Sequence, residues 1–237
     1  MLTTALSGGI IGLIFGFILQ RTRFCLTGGF RDMYIARNNT LFYAFLIAIT
    51  VESIGVLSLI KLGIIGNPYE EFSVLGAIVG SYLFGIGIVL AGGCATGTWY
   101  RAGEGLLGSG VALFFYMTSA AAMKSGFLVP LNQLIAKRWV INDDLAGQLG
   151  IPVWYFLVFL VAITSFVVIR ELRKPRRQIA SLPSKYKGVR HYLFEKTYHK
   201  YFAGLLIGLV AFIAWPASQL TGRVGGLGIT TPSAHLI

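Results

Sequence analysis

From Phe72 to Tyr100 the chain runs for 29 residues without a charged side chain, more than the ~20 that carry a helix across the hydrocarbon core of a bilayer. Met1 to Gln20, Gly105 to Met123, Leu145 to Ile169 and Tyr201 to Gly222 are uncharged in the same way, and Leu41 to Ile60 is interrupted only by Glu52. Few folds are open to such a chain. In lipid every backbone N–H and C=O must find a partner inside the protein, which leaves helices and closed barrels. The apolar runs here are continuous and lack the ~10-residue alternation of a barrel strand. The expectation is an all-α polytopic membrane protein with about six transmembrane helices plus short re-entrant or interfacial helices. Composition agrees, since only 12% of residues are charged against roughly 25% in soluble domains.

The net charge of +11 invites a nucleic-acid reading, which its distribution removes. Half of the 20 Lys and Arg lie between Arg170 and Lys200, opposed only by Glu171 and Glu195. A short basic loop between two spans marks the cytoplasmic side, with anionic-lipid contact or partner docking as additions. The expected surroundings are therefore a lipid bilayer, with no nucleic acid. Met1 to Gln20 lacks the basic start and small-residue cleavage pattern of a signal peptide, so it reads as a retained first helix with its amino terminus outside. No Gly-x-x-x-x-Gly-Lys-Ser/Thr phosphate loop is present. His191, His199 and His235 have no zinc-type spacing with the cysteines. No metal or other cofactor is expected.

Helix one carries Gly8, Gly9, Gly12 and Gly16, spaced to let neighbouring helices pack closely. The segment from Arg21 to Thr40, with Arg21, Arg23, Arg31, Asp32 and Arg37, must leave the membrane or line a cavity. Glu52 is costly at the bilayer centre and should face the bundle interior or a polar cavity, in a structural hydrogen bond or in transport. The long run ending at Tyr100 calls for a broken or re-entrant helix near Cys94, or for a tilted one. Gly126 to Ala136 is apolar but short, as an interfacial helix would be.

The only two cysteines occupy matching settings 69 positions apart. Cys25-Leu26-Thr27-Gly28 and Cys94-Ala95-Thr96-Gly97 each close an apolar Gly-rich run, and each leads to an aromatic residue and an arginine, Phe30-Arg31 and Tyr100-Arg101. Repeats of this kind build transporters whose broken helices meet near the bilayer midplane. A disulfide and simple packing thiols are the alternatives. A thiol in an apolar constriction stays neutral, so it donates a weak S–H hydrogen bond without repelling an anion. Soft sulfur or selenium atoms are natural partners. Arg31 and Arg101 either draw an anion toward the constriction or lock onto Asp32 and Glu104, while Gly92 and Gly93 open the backbone before Cys94.

The stretches Arg23-Phe24-Cys25-Leu26-Thr27-Gly28-Gly29-Phe30-Arg31-Asp32-Met33 and Ala91-Gly92-Gly93-Cys94-Ala95-Thr96-Gly97, continuing to Tyr100-Arg101-Ala102-Gly103-Glu104-Gly105, resemble the YeeE/YedE family of bacterial sulfur-compound transporters. They look closest to its YedE branch, which is associated with selenium metabolism. The resemblance implies a non-enzymatic permease of the bacterial cytoplasmic (inner) membrane for thiosulfate or a related small sulfur- or selenium-containing anion. It makes Cys25 and Cys94 the relay thiols, with Thr27, Gly28, Arg31, Gly92, Gly93, Thr96, Gly97 and Arg101 supporting the path. It also implies a TusA-like cytoplasmic sulfur carrier as partner.

Full-length members of that family have a second half with a third cysteine, which this chain lacks. The expected organisation is a membrane domain over 1–169, with repeat units at about 1–69 and 70–140 and a fifth helix. The basic cytoplasmic loop 170–200 follows, and 201–237 starts a second half that reads as truncated, to be supplied by a second chain or copy. A membrane thiol-disulfide oxidoreductase and a non-transporting subunit of a split transporter are the competing functions.

Overall fold

A computed structural model of the protein describes residues 2–66, 72–141, 150, 152–173, 198–219 and 225–234. Most of the expected basic loop, Asn67 and Pro68 of the loop after helix two, His191 and His235 lie outside the described residues. The described elements are α1 (Leu2–Thr22), α2 (Leu26–Tyr34), α3 (Thr40–Lys61), β1 (Phe72–Ser73), α4 (Val74–Leu90), α5 (Ala95–Gly103), α6 (Leu107–Ser125), α7 (Val129–Ala136), β2 (Val140–Ile141), α8 (Val153–Leu172), α9 (Lys200–Gln219) and α10 (Thr230–Ala234). Among the described residues, five stretches are long and apolar enough to cross a membrane, or six if Leu107–Ser125 and Val129–Ile135, bent by 72°, count as one span. The protein is an all-α, multi-pass membrane protein.

Two of those stretches are interrupted. α1 with α2 gives one candidate span, Ser7–Tyr34, and α4 with α5 gives another, Val74–Gly103. The excess length of the run before Tyr100 therefore goes into a break at Cys94. The polar segment after Gln20 holds a second break and a second short helix.

The tightest seam is between α3 and α9, where small residues at four-residue spacing face one another. A Cβ on Gly204 would collide with the Ala44 carbonyl, and one on Gly208 would lie 2.8 Å from both the Ala48 oxygen and Val51 Cβ. Without a hydrophobic drive between helices in lipid, such backbone approach supplies the packing. Ile18 and Leu19 of α1, Phe24, and Leu41, Ala44, Ala48, Ala203 and Ile207 form one buried cluster along the seam. α9 runs antiparallel to α1, because Ala214 and Ser218 share a cleft with Ser7 and Ile11 at the opposite end from Ile18. On the other flank of α3, Thr50 Oγ1 and Thr164 Oγ1 of α8 are 2.9 Å apart, and Lys61 Nζ sits 5.3 Å from the Trp154 ring centroid.

Among the described residues nothing approaches a Cβ built on Gly8, Gly9, Gly12 or Gly16 of α1 within 4 Å, and three of the four line open clefts. Spacing alone cannot tell a seam from a channel wall, because both need small residues on one face. α4 has no buried residue among those described. Its start is fixed by Ser73, whose hydroxyl caps Gly76 N–H at 3.1 Å and lies 3.1 Å from the Ile135 carbonyl at the end of α7. The two-residue strands pair antiparallel beside it, Phe72 with Ile141 and Ser73 with Val140.

Gly208→Val should cost about 1–3 kcal/mol by overpacking the α3–α9 seam, whereas Gly80→Ala on α4, with open space at its Cβ, should stay within about 0.5 kcal/mol of the parent. Thermal unfolding of both variants in detergent measures the difference.

Candidate functional site

Both interrupted spans break in the same way. Arg23 (φ 49°) and Gly92 (φ 67°) turn the chain through the left-handed region, each two residues before a cysteine. Glycine adopts that conformation freely, while Arg23 does so under strain. Cys25 (φ −141°, ψ 128°) and Cys94 (φ −73°, ψ 172°) are then the extended N-cap residues of two nine-residue helices, α2 and α5. The 69-residue offset read from the cysteines also superposes the left-handed residue and both ends of each helix.

The two caps meet. Cys25 Sγ and Cys94 Sγ are 3.5 Å apart, both thiols are free, and the residues are only 2% and 6% exposed. Both cysteines cap helix starts, where first-turn amides have no carbonyl partner within the helix and carry the partial positive charge of its dipole. Gly97 sits where a Cβ would be 2.7 Å from Cys25 Sγ and 3.6 Å from Cys94 Sγ, so the α5 backbone reaches the thiol pair only because this residue has no side chain. Gly28, its counterpart in α2, has room: the nearest atom to its Cβ would be Cys25 Cβ at 3.7 Å.

The two threonines differ. Thr96 Oγ1 is 3.0 Å from Cys94 Sγ, whereas Thr27 Oγ1 is buried with no partner among the described residues. The arginines differ too. Arg31 bonds Asp32 Oδ1 at 3.1 Å while staying largely exposed, and Lys200 Nζ of α9 lies 3.9 Å from Asp32 Oδ2. Arg101 instead donates from Nη1 to the Gly92 carbonyl at 2.5 Å, clamping the break, and its Nη1 would lie 3.4 Å from a Cβ on Gly93. Glu104 accepts from Gln20 Nε2 at 3.0 Å, tying α1 to the end of α5. Glu52 accepts from the Trp215 indole N–H at 3.3 Å.

Beside the thiols lies a cleft of about 440 Å³, walled by Gly12, Phe15 and Gly16 of α1, Thr96 and Trp99 of α5, and Ser233 of α10. A second cleft of about 460 Å³ adjoins it along Ser7, Gly8 and Ile11 and the Gly226–Ile229 segment, again touching Thr96. Ser233 Oγ donates to the Ile229 carbonyl at 2.5 Å and accepts from Trp99 Nε1 at 3.3 Å, which seats α10 against α5. The cysteine motifs do not single out Trp99, Ser233 or Trp215 as site residues. Their one sequence signal is that an indole N–H in a membrane helix needs an acceptor, and nothing local names it.

A family model described as Sulphur transport matches residues 21–237. The chain is 51% identical over all of its 237 residues to the thiosulfate transporter TsuA of Escherichia coli, of which it covers 67%. It is 32% identical to the thiosulfate transporter TsuA of Spirochaeta thermophila, over 94% of this chain and 66% of that protein. The probable transporter YedE of Escherichia coli is 42% identical over 96 residues, 40% of this chain and 23% of that protein. The chain thus spans about two thirds of the length of the two thiosulfate transporters.

Gly97→Ala should push the Cys25 sulfur away from Cys94, while Gly28→Ala should leave the pair in place. After diamide treatment, mass spectrometry should find the Cys25–Cys94 disulfide in the parent and in Gly28→Ala, and several-fold less of it in Gly97→Ala.

Proposed function

The chain belongs to the sulphur-transport family, and on that premise we propose that it is an inner-membrane permease for thiosulfate in which Cys25 and Cys94 hold the anion in turn by S–H hydrogen bonds. The observation that carries this reading is the 3.5 Å contact between two buried free thiols, placed where two interrupted spans present helix starts to each other.

A thiosulfate ion entering the membrane loses its water, and the path must return enough of that solvation to admit it without holding it. Thiols suit the soft terminal sulfur of the ion, being neutral, polarizable and weak donors. Backbone N–H groups at the two helix starts add fixed partial positive charge without a mobile cation. Weak, closely spaced sites favour release as well as entry. With the sulfurs in mutual contact the passage between them is closed, and an ion that replaces their contact with its own opens it.

The remaining assignments follow from this arrangement. Arg101 shapes the site by holding the Gly92 carbonyl rather than by facing the ion, and Arg31 with Asp32 stands at the far end of α2. Arg170 and Arg173 at the end of α8 and Lys200 at the start of α9 flank the basic loop, which supports a cytoplasmic location for that end. There a TusA-like carrier would receive the ion, a role supported by the motif resemblance. The YedE relative aligns over 96 residues and the thiosulfate transporters over nearly the whole chain, so thiosulfate rather than a selenium compound is the substrate proposed.

Radiolabelled thiosulfate uptake, measured in a transporter-deficient bacterial host with this chain alone and beside a full-length relative as control, should be restored by the chain. It should be lost in Cys94→Ala at equal expression. Uptake by Cys94→Ala at the parental rate would contradict the relay, and no uptake with the chain where the control succeeds would contradict the permease.

A further inference from the structure

Threonines inside helices normally return their hydroxyl proton to the carbonyl four residues earlier. Thr22, Thr50, Thr98 and Thr118 all do so, to Ile18, Leu46, Cys94 and Phe114, at 2.7 to 2.9 Å. Thr27 and Thr96 are denied it. The residue four before Thr27 is Arg23, in the left-handed turn where no helical carbonyl is aligned. The residue four before Thr96 is Gly92, whose carbonyl is taken by Arg101. The breaks that place the two thiols therefore also leave two hydroxyls unclaimed, at equivalent positions of the two short helices. Thr96 turns to Cys94 Sγ, and Thr27 has no partner among the described residues.

A buried hydroxyl with no partner costs on the order of 1–3 kcal/mol, and its persistence calls for an explanation. We infer that Thr96 and Thr27 are substrate-contacting donors that bind the hard oxygens of the anion while Cys94 and Cys25 bind its soft sulfur, so that each Cys-x-Thr unit reads both ends of one ion. Thr96 lines both clefts and touches Cys94, which makes it the first group an ion from the clefts meets. The Cys94 sulfur leads to that of Cys25, and Thr27 completes the second unit with a donor that no described residue occupies. The substrate class is a small anion with one terminal sulfur and several oxygens. An all-oxygen anion such as sulfate would satisfy the hydroxyls and leave the thiols unmatched.

This inference rests on the thiosulfate reading, and its test separates the two. Purified chain in detergent is treated with N-ethylmaleimide over a series of sodium thiosulfate concentrations, and alkylation of the Cys25 and Cys94 peptides is quantified by mass spectrometry. Thiosulfate should protect both thiols in the parent, and sodium sulfate at equal ionic strength should not. Thr27→Val and Thr96→Val should each raise the half-protecting concentration on the order of tenfold, the worth of a hydrogen bond to a charged group, and Thr27→Ser and Thr96→Ser should restore it. Because Thr27→Val removes an unsatisfied group, its melting temperature should equal or exceed that of the parent, a result a purely structural role for the hydroxyl would not give. Absence of protection in the parent would overturn the thiosulfate site and this inference together. Protection in both valine variants within twofold of the parent, or equal protection by sulfate, would overturn the inference alone.

Discussion

A helix that stops inside a bilayer exposes amides and carbonyls to a medium that cannot pair them, and this chain stops two of its spans close to their cysteines. The freed groups are accounted for locally. Phe24 N–H turns back to Leu19 O at 3.2 Å and Gly92 N–H to Val89 O at 3.1 Å, while the Gly92 carbonyl is held by Arg101. The first-turn amides of α2 and α5 follow directly on the two N-cap cysteines. The breaks are tolerable because they meet, the two cysteine caps in contact and Gly97 of α5 set beside the Cys25 sulfur. Gly97 permits that approach, and the α3–α9 seam with α1 packed along it holds one of the two partners in place.

From this constraint the chemistry of the site follows. A thiol satisfied by another thiol has a partner of comparable weakness, so the resting contact and its replacement by a sulfur-bearing anion are close in energy. A carboxylate or a lysine at the same place would bind its partner too well or repel the substrate. The charged groups accordingly stand off the sulfur pair, Arg101 on a carbonyl, Arg31 on Asp32 and Glu104 on Gln20.

Much of the fold was legible because it depends on composition along the chain. Against apolar runs that open at Leu41, Phe72, Gly105 and Tyr201, helices begin at Thr40, Val74, Leu107 and Lys200, and the excess length of the 29-residue run became a break rather than a tilt. The pairing of motifs 69 residues apart was readable for the same reason. What failed to show was set by contacts between distant segments. The α1 glycines resemble a packing stripe but open onto clefts, since a wall and a seam demand the same residue size. Of the two readings open for Arg101, an anion guide or a lock on Glu104, neither names its partner in the fold, since Arg101 bonds Gly92 and Glu104 bonds Gln20, and the second pairing is fixed only once α1 lies beside α5. Glu52 finds Trp215, 163 residues away, and no local pattern names that pairing. The difference between Thr27 and Thr96 is likewise invisible in two identical Cys-x-Thr-Gly strings.

The central claim is that neutral thiols hold the anion by hydrogen bonds. Infrared difference spectroscopy of the purified chain, recorded as thiosulfate is added, observes this directly through the S–H stretching band. The account predicts that the band persists and moves to lower frequency with thiosulfate, and that a Cys25→Ala, Cys94→Ala double variant shows neither band nor shift. A band unmoved by saturating thiosulfate, or one that disappears because the thiols have ionised or formed a covalent bond to sulfur, would contradict it.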